Sequence, residues 1–296
     1  MGLKRKVSEW WELRREFANS RPYEEKASRL QTLCLLTGPY RNLTTLTSSL
    51  VALHPACQVL NHGSVRILPM KQTNIFEEFQ PAKVQNLARY AIYLSSGGER
   101  GQKGGSITKS HAFAEHGKMR EVYERRFGEE TIKPEIHSLL WKESNRISNA
   151  LRDSDFPLAE AFAAEKRLRF LMPIRHPMDC AKSNIKTGHC KHLVGKKDAE
   201  FGEVLEAVIG EIAWFLDLAE KFPERFFYFY EHTFDEEVLK SFAAFMKVEA
   251  EERWLADCME VYDLKPNYEY PEEQQEMYRR LVKEKIARHE NARDAL

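Results

Sequence analysis

Short apolar runs alternate along this chain with polar breaks and stretches of helical spacing. Leu33-Cys34-Leu35-Leu36, Cys57-Gln58-Val59-Leu60, Ile136 to Trp141, Leu168 to Ile174 and Phe226 to Tyr230 have the length of strands. Residues 44–53, 80–95, 115–127 and 198–221 carry apolar positions at helical intervals. The short runs are continuously apolar, as in strands covered on both faces. Strands separated by helices predict an α/β fold whose central parallel sheet has about five strands flanked by helices. Residues 1–30 read as a helical extension, 31–246 as the core, and 247–296 as C-terminal helices with an irregular stretch at Lys265-Pro266-Asn267. With no linker and no repeat, one domain over 1–296 is expected. Trp10, Trp11 and the run Phe226–Tyr230 read as core. Residues 97–105 hold five glycines in nine positions, a density that predicts a mobile loop or lid without regular structure.

Composition narrows the setting. Lys+Arg and Asp+Glu both number 45, so no global charge draws the chain to nucleic acid. Cys34, Cys57, Cys180, Cys190 and Cys258 show no paired spacing, which fits free thiols in a reducing compartment. The basic start, Lys4-Arg5-Lys6, leads into charged amphipathic sequence and not a signal-peptide core. No run approaches the roughly 20 apolar residues of a membrane span. A soluble, cytoplasmic protein is expected.

The chemistry-bearing residues fall where the strands end: Arg41 and Thr44, Asn61 and His62, Lys142 and Glu143, Arg175, Tyr230 and Glu231. Sheets of this class bind ligands beyond those ends. The stretch Leu36-Thr37-Gly38-Pro39-Tyr40-Arg41-Asn42-Leu43-Thr44 reads as strand, turn and helix start, a junction that aims backbone N–H groups and a helix dipole at an anion. It is not the nucleotide-kinase loop G-x-x-x-x-G-K-[ST], because Leu43 and Thr44 stand where Gly and Lys belong. A kinase or nucleotide hydrolase would also need a magnesium carboxylate, for which Asp179 is the strand-end candidate. Later, Arg175-His176-Pro177-Met178-Asp179 follows a strand and Ser183 comes eight positions after the Arg. A turn and about one and a half helical turns would return that hydroxyl toward the guanidinium, a planar fork matched to phosphate oxygens. His189-Cys190-Lys191-His192 lacks a second ligand cluster and reads as a solvated loop.

Tyr40-Arg41-Asn42-Leu43-Thr44-Thr45-Leu46 resembles the 5′-phosphosulfate loop of sulfotransferases, commonly [KR]-S-G-T-T-[LW], and Arg175 to Ser183 resembles their R-[DNH]-P-x-D-x-x-x-S motif. In pattern the chain is similar to the tyrosyl-protein, Golgi-type and bacterial members over about residues 31–246. The resemblance implies a P-loop-NTPase-like domain, the donor 3′-phosphoadenosine-5′-phosphosulfate (PAPS), its product PAP, an acceptor hydroxyl on a glycan, lipid or small molecule, and no metal. It implies that Arg41, Asn42, Leu43, Thr44 and Thr45 hold the 5′ end of the nucleotide, that Arg175 and Ser183 hold the 3′-phosphate, and that Tyr230, within Phe229-Tyr230-Glu231, lies near the cofactor. Arg41 and Lys142 would be catalytic cations. Counting from the helix end at His54-Pro55 places His62 where relatives carry an acidic base. Imidazole suits that role near neutral pH, and His111, in Thr108-Lys109-Ser110-His111, and Glu143 are the other candidates. Leu43 and Asn42 replace the family's glycine and serine. A P-loop nucleotide kinase, or a noncatalytic nucleotide-binding protein of the same fold, is the alternative.

Overall fold

The computed structural model describes residues 3–98, 103–262, 268–289, 292, 295 and 296, with side chains from Trp10 onward. Two helices, α1 (Leu3–Asn19) and α2 (Glu24–Ser28), open the chain. Then β1 (Thr32–Leu36) leads to α3 (Thr44–Ala52), and β2 (Cys57–Asn61) to α4 (Ser64–Ile67) and α5 (Pro81–Ser95). A two-residue strand, β3 (Gly105–Ser106), precedes α6 (Lys118–Phe127). β4 (Ser138–Lys142) is followed by α7 (Asn145–Asp153) and α8 (Leu158–Ala164), and β5 (Leu168–Ile174) by α9 (Pro177–Lys186) and α10 (Phe201–Lys221). β6 (Phe226–Tyr230) is followed by α11 (Glu236–Met246), α12 (Glu252–Val261) and α13 (Glu272–Lys285).

The six strands form one sheet in the order β3-β2-β4-β1-β5-β6. Every pairing is parallel except β2 with β3. All five residues of β1 are buried, because successive side chains face two different cores. Leu33 and Leu35 join Trp141, Phe170 and Phe226 under α5, α9 and α10. Cys34 and Leu36 join Leu140, Leu171 and Phe229 under α3, α11 and α12. On the second side the Trp254 indole donates to the Leu50 carbonyl at 2.9 Å, tying α12 to α3. Among the described residues no helix is long and apolar enough to cross a membrane.

The five apolar runs are the five parallel strands, within two residues at each end. Two helices start about three residues later than their periodicity suggests. α10 begins at Phe201 because Glu200 and Glu203 form a capping box there, and α6 begins after a turn in which Gly117 N–H donates to the Ala114 carbonyl at 3.0 Å. Trp10 and Trp11 are not core: they are 48% and 60% exposed. Lys265-Pro266-Asn267 and residues 99–102 of the glycine-rich segment lie outside the described residues.

The two ends of the glycine-rich segment carry strand pairing, where no regular structure is expected from the sequence. Gly105 pairs with Asn61 in β2 and bridges to Gly98. Glycine density here serves close backbone approach. A Cβ on Gly104 (φ +87°) would lie 2.7 Å from Gly63 Cα and 2.9 Å from its N. Gly104→Ala is therefore expected to lower stability by about 1–3 kcal/mol in urea unfolding, while Gly97→Ala, whose Cβ meets nothing within 4 Å, stays within about 0.5 kcal/mol. Equal effects at both positions would contradict the close packing of this edge.

Candidate functional site at the strand ends

The segment between β1 and α3 is bonded to its neighbours on two sides. Thr37 donates from both N–H (2.8 Å) and hydroxyl (3.1 Å) to the Leu171 carbonyl of β5. Gly38 N–H donates to Ser148 Oγ of α7 at 2.9 Å. The Tyr40 carbonyl accepts from Asn184 Nδ2 of α9 at 2.6 Å. Asn42 is fully buried: its Nδ2 donates to the Pro173 carbonyl at 2.5 Å and its Oδ1 accepts from Arg175 N–H at 2.8 Å. One short side chain thus ties the loop to the end of β5, and its amide serves the scaffold. Leu43 then turns left-handed (φ 57°, ψ 9°) to cap α3. The first intrahelical bond runs from Thr47 N–H to the Leu43 carbonyl at 2.9 Å, so the N–H groups of Thr44, Thr45 and Leu46 form the open positive end of the helix.

The two segments expected to hold phosphate meet. Arg41, exposed and itself left-handed (φ 63°), reaches across so that its Nε donates to Ser183 Oγ at 2.9 Å. The eight-residue spacing predicts Ser183 beside Arg175; its hydroxyl instead takes the hydrogen bond of Arg41. Arg175 lies between two carboxylates, with Nη2 3.5 Å from Asp179 Oδ2 and Nε 3.8 Å from Glu231 Oε2. Asp179 accepts from the Tyr270 hydroxyl at 2.5 Å and Glu231 from His176 N–H at 2.8 Å. Burial pushes the Glu231 carboxyl above its usual range, with Arg175 opposing. Arg175 Nε and the Tyr230 hydroxyl are buried without a hydrogen-bond partner, and burial raises the Tyr230 phenol. Such orphaned donors cost about 1–3 kcal/mol each unless something fills them.

On the other side of β1, the strand ends bring three expected residues together. His62 N–H continues the ladder to the Lys142 carbonyl at 2.9 Å and its carbonyl accepts from the Trp141 indole at 2.8 Å. A left-handed turn (φ 63°) brings the imidazole back over the sheet end. Its Nε2 lies 3.4 Å from Lys142 Nζ and its Nδ1 3.9 Å from Glu143 Oε1. Glu143 is buried and accepts from Ser64 N–H at 3.1 Å, at the start of α4. Burial lowers Lys142 to about 8, Arg41 adding to the shift and Glu143 opposing it. The imidazole thus has the Lys142 ammonium nitrogen on its Nε2 side and the Glu143 carboxyl on its Nδ1 side. His111 is exposed at the start of a 3-10 turn, His111–Phe113, that follows β3 in the chain and is held by the buried Phe113.

Several groups were not singled out in the sequence. Arg146 donates to Ser64 Oγ at 2.6 Å and lies 3.8 Å from Glu143. His189 and His192 are not a detached solvated loop, since their rings pack 5.3 and 5.5 Å from Tyr40. Arg146 follows a strand end closely enough to have been flagged; Ser148, Asn184 and the histidines are joined to the loop only by the fold. Among the described residues, seven non-glycine positions have positive φ, and four of them (Arg41, Leu43, His62 and Ser144) surround this corner. Left-handed backbone costs about 1–2 kcal/mol per residue, so strain is concentrated at these strand ends. Compared with known proteins, the chain matches no protein-family model and no curated sequence.

A buried ammonium is held at a cost in stability. Lys142→Met is expected to raise unfolding free energy at pH 7 by up to about 3 kcal/mol, since a fall from 10.5 to about 8 corresponds to roughly 1.4 kcal/mol per unit. Between pH 8 and 10.5 the unfolded chain holds this proton and the folded one does not, so wild-type stability rises with pH and the variant's advantage shrinks. Denaturant unfolding at pH 7 and pH 10 measures both; a less stable Met variant at pH 7 would contradict the burial penalty.

Proposed function

We propose that this protein is a sulfotransferase that moves the sulfuryl group of PAPS to an acceptor hydroxyl by in-line displacement. The observation that carries the reading is the joining of the two phosphate motifs: Arg41 bonds Ser183 at 2.9 Å, and Asn42 links the loop to the Arg175 backbone. A nucleotide with phosphate at both its 5′ and 3′ positions needs two anion sites on neighbouring strand ends, and β1 and β5 are adjacent. The residues fit such a group. The open first turn of α3 suits the 5′-phosphate, and the unpartnered Nε of Arg175 offers a donor for the 3′-phosphate. When bound, the donor supplies an activated sulfuryl group whose transfer spreads negative charge over its oxygens.

The chain's own groups supply the rest. Arg41 and the α3 N-terminus stabilise charge on the departing phosphate side, and Lys142 stabilises the transferring group. An anion that draws Lys142 Nζ toward itself frees His62 Nε2, the atom then placed to take the acceptor's proton. Glu143, fixed by Ser64 N–H, faces Nδ1 and favours the imidazolium that results. Leu43 holds by strain the conformation that a glycine adopts freely.

Thermal melting with PAP tests this. Ligand at about 100 times its dissociation constant adds roughly 2.7 kcal/mol, so the melting point should rise with PAP and not with ATP, and Arg175→Ala should abolish the rise. A shift with ATP alone would instead indicate a nucleotide kinase or hydrolase. In turnover assays, His62→Ala should retain the PAP shift and lose about 10²–10⁴ in rate; undiminished turnover would remove His62 as the base.

A further inference from the structure

Among the described residues, the large apolar side chains that are strongly exposed are Trp10, Trp11, Val65 and Met259. Two of the four are consecutive on α1, and α1 is anchored. Phe17 meets Tyr90 edge to face at 5.7 Å, and the Arg89 guanidinium covers the other side of the Phe17 ring at 4.5 Å. Glu16 pairs with Arg66 at 3.1 Å and accepts from the Tyr90 hydroxyl at 3.0 Å. The tryptophans are therefore displayed on a fixed element.

Their surroundings are cationic. Arg14 stacks over the Trp10 ring at 4.4 Å, and the two indoles meet edge to face at 5.1 Å. At about 100° per residue, Trp10, Arg14, Trp11 and Arg15 share one arc of about 140°, while Glu12 falls outside it on the side of Glu16. Glu16 is neutralised by Arg66. Lys4-Arg5-Lys6 precede this face in a chain whose net charge is zero, so the positive charge is local. Tryptophan favours the boundary between water and hydrocarbon, and flanking Lys and Arg favour anionic headgroups. A second copy of the chain fits poorly, because a contact through this arc would bury the four arginines of two copies in one interface, whereas an anionic surface meets them with opposite charge.

We propose that the outer face of α1 docks on an anionic lipid surface, with Trp10 and Trp11 entering the headgroup boundary and Arg14 and Arg15 meeting lipid phosphates. The proposal does not depend on the reaction assigned to the candidate site.

Co-sedimentation of the full chain with phosphatidylcholine vesicles, with and without phosphatidylglycerol, tests it. At low salt the protein should pellet at least about tenfold more with the anionic vesicles, and added salt should release it. Trp10→Ser/Trp11→Ser and Arg14→Glu/Arg15→Glu should each reduce pelleting to the phosphatidylcholine level without lowering the melting point. Wild-type protein that stays in the supernatant would overturn the proposal. So would retention of binding in the tryptophan variant, which would indicate bare electrostatic adsorption, or a wild-type dimer in light scattering that the tryptophan variant abolishes while vesicles bind neither.

Discussion

The corner depends on the bridge made by Asn42. Its amide spans the carbonyl of Pro173 and the N–H of Arg175, both at the end of β5, from a loop that leaves the adjacent strand β1. Asn42 is fully buried, so water cannot substitute for either partner, and losing the amide would leave two backbone groups unsatisfied at about 1–3 kcal/mol each. With the bridge in place, Arg41 is aimed at Ser183 and the Tyr40 carbonyl at Asn184. The loop, the end of β5 and the last turns of α9 are therefore tied into one unit, as the proposed recognition of two phosphates requires.

Around this unit, stability is given up locally. Arg41, Leu43, His62 and Ser144 hold left-handed backbone, Lys142 is a buried ammonium, and Arg175 Nε, 3.8 Å from Glu231, makes no hydrogen bond. Each would be removed by a simple substitution in a protein selected for stability alone. Their placement at the ends of β1, β2, β4 and β5, over a sheet whose interior is densely apolar, is the arrangement of a preorganised site on a rigid scaffold.

The parallel strands were legible because burial on both faces leaves uninterrupted apolar runs, and the polar residues that end those runs include His62, Lys142, Glu143 and Arg175. β3 was not legible, because its pairing arises from glycine backbones that approach Gly63 closely and leave no side-chain pattern. Residue type also misled at Trp10 and Trp11, since an apolar side chain does not reveal which side of a surface helix it occupies. The role of Asn42 was hidden for a different reason. A bridge to residues 131 and 133 positions away is a property of strand adjacency, and local sequence carries no record of it. Leu43, the apparent misfit in the loop, holds a left-handed conformation of the kind that glycine adopts freely.

Phosphorus NMR of PAP titrated with the protein tests the two-site account most directly, because the 3′- and 5′-phosphates give separate resonances. Both should shift with wild-type protein, and in Arg175→Ala the 3′ resonance should lose its shift while the 5′ resonance keeps one at higher protein concentration. A wild-type titration that moves neither resonance, or only one, would contradict the paired phosphate corner.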